Sequence, residues 1–177
     1  MRTTTISQSA IGVSPWIQVN YRQSPFSASV AVDLDSVASL ITYTVEHTFD
    51  DFGAFQQVAS IVRVGTTATV TYNTPHDLNT GDAIIIKMSS VPGLDGQFTV
   101  TVVTPTLLTF TSPISGSATA ESGAQVTNLR VFPKANMSAK TTSAEDTYIA
   151  PVTGIRLNVT ALSAGKATLI VNQGQNS

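Results

Sequence analysis

The sequence predicts an all-β protein: a jelly-roll-like β-sandwich interrupted by a small inserted β module of barrel or sandwich form. Three observations predict it. Apolar and polar residues alternate with period two through most of the 177 residues, the pattern of strands with one buried face. No stretch keeps a 3.6-residue apolar period for three turns. Charged residues are 11% of the chain and hydrophobic residues 42%, against about 25% charged in ordinary soluble domains. A real core can be buried, and the surface falls to Thr, Ser, Asn and Gln.

Taken in order, residues 1–15 are polar and uncommitted up to Ser14-Pro15, and are read as an extended N-terminal arm. Residues 16–21 alternate as a strand. Residues 26–32 form a second after the Ser24-Pro25 break, and residues 40–49 a third, ended by the turn at Asp50-Asp51-Phe52-Gly53. From about Ser60 the texture changes. Residues 67–72 read as a strand, residues 73–82 as a long turn, and residues 83–88 as a strand buried on both faces. Residues 97–103 and 107–111 are strands joined at Thr104-Pro105-Thr106, and residues 115–123 a small polar loop. Residues 129–133 make a short edge-like strand, since Pro133 cannot donate to a ladder. Residues 148–152 follow a polar loop. Residues 155–160 and 167–172 are read as a hairpin turning at Ala164-Gly165.

The host sandwich is therefore assigned to residues 16–58 plus 127–177, and the inserted β domain to residues 59–126. Insertions succeed at exposed loop tips such as Asp50-Asp51-Phe52-Gly53.

Two blocks resemble known proteins. The middle block holds Thr69-Val70-Thr71, then His76-Asp77-Leu78-Asn79-Thr80-Gly81-Asp82, Leu94-Asp95-Gly96-Gln97-Phe98 and Thr109-Phe110-Thr111. It is similar to a small β module of tailed-bacteriophage structural proteins. Gly81 supplies a positive φ in its turn, Leu94 plugs the module's core, and Asp95-Gly96 turns the chain before Phe98 re-enters that core. The C-terminal block, with Val131-Phe132-Pro133-Lys134, residues 148–160 and residues 165–173, resembles the end of small head-associated decoration or cement β-sandwich proteins of phages. Residues 43–51 would be the matching half of that sandwich. The resemblance implies a virion structural protein.

The residues give little to chemistry. There are no cysteines, so disulfides, thiolate metal sites and cysteine nucleophiles are absent. His47 and His76 are the only histidines and lie on different predicted domains, whereas a zinc site needs converging ligands. His76 is expected to cap the turn before Gly81. His47 shares a face with Val45 and Phe49, and is expected to be a half-buried or interface polar group. Asp50 and Asp51 are read as turn formers rather than calcium ligands, and Asp33 and Asp35 likewise. No serine sits in a Gly-x-Ser-x-Gly elbow, and no phosphate loop is present. No catalytic residue, metal or cofactor is expected. The 9 basic residues are scattered and the net charge is −2, so a nucleic-acid partner is not expected. No apolar run approaches the roughly 18 residues that span a bilayer, and the first residues lack a signal-peptide core.

What remains is association. The expected interface residues are Arg2, Ile6 and Ile11 of the arm, Trp16 where the arm meets the first strand, and Phe132 and Pro133 of the edge strand. Trp16 is read first as a core residue, with an interface anchor as the alternative. The expectation is a non-enzymatic capsid decoration protein. It would bind the major capsid protein or other virion subunits on the capsid exterior, as a homo-oligomer made in the host cytoplasm. The alternatives are a tail, baseplate or head-to-tail connector component, and a carbohydrate-binding module for host adsorption.

Overall fold

A computed structural model describes residues 2–35, 40–120 and 123–174. Met1 of the expected arm, and residues 36–39, 121–122 and 175–177 of the expected domains, lie outside the described residues. The strands are β1 (Arg2–Gln8), β2 (Gly12–Val13), β3 (Ile17–Gln18), β4 (Ala28–Leu34), β5 (Ile41–Thr48), β6 (Gln56–Gln57), β7 (Ser60–Val64), β8 (Thr67–Thr71), β9 (Ala83–Lys87), β10 (Gly96–Thr99), β11 (Thr101–Thr104), β12 (Leu107–Thr111), β13 (Ala118–Ala120), β14 (Gln125–Leu129), β15 (Phe132–Pro133), β16 (Ala144–Tyr148), β17 (Gly154–Leu162) and β18 (Ala167–Gln173). All pairings between them are antiparallel. The chain divides into two compact units, Met1–Phe49 with Phe132–Ser177, and Asp50–Val131.

The first unit is a sandwich. One sheet runs β1-β18-β4-β16; the other runs β15-β5-β17-β2, with β3 also paired to β17. Period-two alternation turns every second residue inward. Ala28, Val30 and Val32 of β4 and Ala167, Leu169 and Val171 of β18 share a buried core with Ile41, Tyr43 and Val45 of β5 and Ile155, Leu157 and Val159 of β17. Tyr43 is fully buried; its hydroxyl donates to the Thr142 carbonyl at 2.8 Å, and burial pushes the phenol up to about 12.

Two expectations are corrected here. Residues 155–160 and 167–172 do not form a hairpin. β17 pairs with β5, while β18 pairs with β1 and β4, so residues 163–166 arch from one sheet to the other across the roughly 10 Å between packed sheets. Both strands bury an alternate apolar row, and those rows face one another through the core instead of lying side by side. Nor is the N-terminal stretch an extended arm. Arg2–Gln8 pairs along its full length with β18, and Ile6 packs against the core.

The second unit, continuous in sequence, stacks the sheet β10-β9-β14-β6 on the sheet β11-β12-β8-β7-β13. Neither sheet closes, so the module is a sandwich and not a barrel. Its core joins Ile84, Ile86 and Val126 to Ile61, Val70, Leu108 and Phe110, with Leu94 fully buried among them. Residues 97–103 are two strands: β10 pairs with β9 and β11 with β12. The chain changes sheets at Val100, whose N–H donates to the Asp82 carbonyl at 2.9 Å.

Candidate interaction site

The feature of the first unit that stands out chemically is an aromatic rim between the edge strands β15 and β16. It begins with the alternation of β5. Ile41, Tyr43 and Val45 face the core, so His47 and then Phe49 continue that row to the end of the strand. Phe132 of β15 lies opposite His47 in the ladder. His47 therefore meets Phe49 edge-on at 5.1 Å between ring centroids, Tyr148 edge-on at 5.2 Å, and Phe132 at 5.9 Å. Phe49 and Phe132 are 5.6 Å apart. These are separations at which aromatic pairs attract. Tyr148 Oη lies 3.3 Å from His47 Nδ1. Lys134 sits over the Tyr148 ring, its Nζ 4.5 Å from the centroid, donates to the Thr147 carbonyl at 3.0 Å and pairs with Asp146 at 3.3 Å.

The rim is half-covered. Tyr148 is buried, but Phe49 is 52% exposed, Phe132 41% and neighbouring Ile149 84%. Burial holds the His47 imidazole below its usual range, with the Lys134 charge adding to the effect. Burial, aided by Asp146, raises the Tyr148 phenol. His47 is thus a neutral hydrogen-bonding ring inside an apolar patch near pH 7. The stability consequence has a definite sign. As pH falls below about 6.5, the unfolded chain protonates this histidine before the folded one does, so stability drops as pH drops through that window. The urea midpoint of the first unit is expected to fall between pH 7 and about 5.5, and His47→Gln is expected to flatten that slope.

The predicted interface residues separate into two places. Phe132 lies in the rim with Pro133 beside it on β15. Arg2, Ile6 and Trp16 line a groove of about 430 Å³ together with Thr4, Thr5, Ile17 and Gln18. Ile11 is exposed between β1 and β2 and joins neither. Trp16 is half-buried and outside the core, which corrects the core reading. Its ring lies 4.6 Å from the Arg156 guanidinium carbon, because Ile17 pairs with Ile155 and brings the preceding residue alongside Arg156. Phe49, Tyr148, Ile149 and Lys134 were not singled out by sequence reasoning as interface residues. The shared face of Val45, His47 and Phe49 was the signal for the first of them.

The second unit carries a polar cleft of about 230 Å³ lined by Asp50, His76, Asp77, Leu78, Asn128 and Arg130. His76, Asn128, Asp50 and Arg130 of this cleft are all hydrogen-bonded. The buried His76 accepts from the Leu78 N–H through Nδ1 at 3.1 Å, and its Nε2 lies 3.0 Å from the Thr104 carbonyl. Asn128 accepts from the Tyr72 hydroxyl at 2.7 Å and donates to the His76 carbonyl at 3.0 Å. Asp50 accepts from the Arg130 backbone N–H at 2.6 Å and from its Nε at 3.2 Å. Asp51 accepts from the Gly53 N–H at 2.8 Å, the geometry of a turn former. Asp35 accepts from the Lys166 N–H at 2.9 Å. Among the described residues, no three of His, Cys, Asp or Glu gather as a metal site, and no helix is long and apolar enough to cross a membrane.

No family model matches the chain, and no curated protein matches it. Among solved structures it is similar to a phage phi92 endosialidase, at 17% identity and a TM-score of 0.30, over 63% of this chain and 14% of that one. The chain thus corresponds to a small part of that protein's length.

Proposed function

We propose that this chain is a non-enzymatic structural subunit of a tailed-phage particle, acting as a capsid decoration protein that attaches to the outside of the head and bridges major capsid subunits. The observation that carries the reading is the aromatic rim. Phe49, Phe132 and Ile149 offer exposed apolar surface on a rigid support of His47 and Tyr148. Rigid aromatics with one face free make strong interface anchors, and apolar area removed from water contributes about 25 cal/mol per Å². With charged residues only 11% of the chain, such contacts carry little charge-desolvation cost. A ligand that binds only the assembled lattice lowers the free energy of that state by mass action, and many copies on one shell gain avidity.

Purified protein added to heads stripped of accessory subunits is expected to rebind and to raise their resistance to heat. Phe49→Ser combined with Phe132→Ser is expected to weaken that binding by roughly tenfold or more, with the urea midpoint measured alongside to separate lost binding from lost folding, because both rings also pack on His47. Copy number decides location: hundreds per particle fit a shell, and roughly tens or fewer fit a tail ring. A double variant that rebinds like the wild type would remove the rim from the account.

A further inference from the structure

We propose that β1 is a docking edge for a second copy of this chain, joined by antiparallel β1–β1 pairing about Thr5 into a sheet continuous across two protomers. An unpaired sheet edge is a template for another strand, and proteins ordinarily blunt it with Pro, charges, interruptions or very short strands. Three of the four edges of the first unit are blunted in this way. β15 is two residues long and ends in Pro133. β2 and β3 are two residues each and are separated by Ser14, Pro15 and Trp16. β16 carries Glu145 and Asp146 side by side, with Lys134 on Asp146.

β1 has only one of these devices, the charge of Arg2 at its first position. Its seven residues, Arg2 to Gln8, contain no Pro, no Gly and no acid, and they pair with β18 without a register shift. Its far edge has no partner strand among the described residues.

The strand is also complementary to itself. Thr4, Ile6 and Gln8 are partly covered and face inward, while Thr3, Thr5 and Ser7 are exposed. A two-fold axis at Thr5 sets Thr4 opposite Ile6, Thr3 opposite Ser7, Arg2 opposite Gln8, and Thr5 opposite its own copy. Each pair then joins residues of the same face, as antiparallel pairing requires. The one charge, Arg2, meets a neutral amide, so no like charges oppose. The groove beside this edge, lined by Arg2, Thr4, Ile6 and Trp16, receives the partner's inward-facing Thr4 and Ile6. Because the axis relates identical patches, the contact closes as a dimer and does not propagate.

Sedimentation velocity over a concentration series is expected to show a reversible monomer–dimer equilibrium. Emission from Trp16, the sole tryptophan, is expected to shift to the blue as dimer forms. Thr5→Lys and Thr5→Glu each place like charges across the axis on an exposed side chain. Each is expected to weaken association about five- to tenfold, and an equimolar mixture of the two to restore it. The chain has no cysteine, so Thr5→Cys is expected to give one disulfide-linked dimer under mild oxidation. Unfolding midpoints of the variants guard against a folding artefact. A chain that stays monomeric throughout the series, or a dimer indifferent to the charge at residue 5, overturns the proposal.

Discussion

Glu46→Ala is expected to lower the unfolding free energy of the first unit by about 3–5 kcal/mol, the cost of breaking a buried ion pair from one side. Arg156 is 1% exposed and its Nε donates to Glu46 Oε2 at 2.7 Å; Glu46 is 12% exposed. The two are directly opposite in the β5–β17 ladder. Glu46 Oε1 also accepts from Asn158 Nδ2 at 2.8 Å. Alanine removes the carboxylate that faces a guanidinium water cannot reach, and with it the acceptor of this Asn158 hydrogen bond. Replacing both ends at once, Glu46→Leu with Arg156→Met, is expected to recover most of the loss, since well-packed apolar residues commonly stand in for a buried pair at little net cost. Urea unfolding followed through Trp16 emission measures this directly, because the indole rests on Arg156. A single variant within about 0.5 kcal/mol of the wild type would show that the pair does not hold this face.

Leu94→Ala is expected to cost the second unit about 3 kcal/mol, through lost transfer free energy and an unfilled cavity. Leu94 is fully buried among neighbours of its own unit. Collapse around the gap is limited. The preceding Gly93 has φ +78°, and a Cβ there would sit 2.8 Å from Ile114 Cγ1, so this loop already lies tight against its neighbour. Leu94→Met, which conserves volume, is expected to cost less than about 1.5 kcal/mol. Hydrogen exchange in β9 and β12 is the appropriate readout, because the only tryptophan belongs to the other unit. Unchanged protection there would mean that Leu94 is not the plug of this core.

How much of this was legible depended on whether a residue's role is local. Strand identity is local. Ile84, Ile86, Leu108 and Phe110 announce themselves by alternation, and Leu94 by an apolar side chain set between turn residues. Which strands pair is not local. β17 and β18 carry the same alternation whether they lie side by side or face to face, so the arch at residues 163–166 could not be told from a hairpin. β1 was missed for a related reason. Ile6 is its only strongly apolar residue, and threonine serves a polar arm as well as an edge strand until β18 is seen beside it. The rim was half legible. The face shared by Val45, His47 and Phe49 could be read from one strand, but Phe132, Tyr148 and Lys134 arrive from elsewhere in the chain. Trp16 was misread because large aromatics are usually buried. Here a guanidinium on the outer side of a ladder offers the ring an alternative to the core.

The ladder that joins Arg2 to Gln173 also sets a timetable. As the polypeptide emerges during synthesis, residues 50–131 come out as one uninterrupted stretch and hold every strand of their own two sheets. They can close while the remainder is still being made. β1, β4 and β5, though finished first, must wait for β15 to β18 before their ladders are complete, and such distant pairings are slow to form. The early strands therefore pass through a period with bare apolar rows, the state most open to aggregation. In that interval their threonine-rich, almost uncharged surfaces depend on the prompt arrival of the last strands.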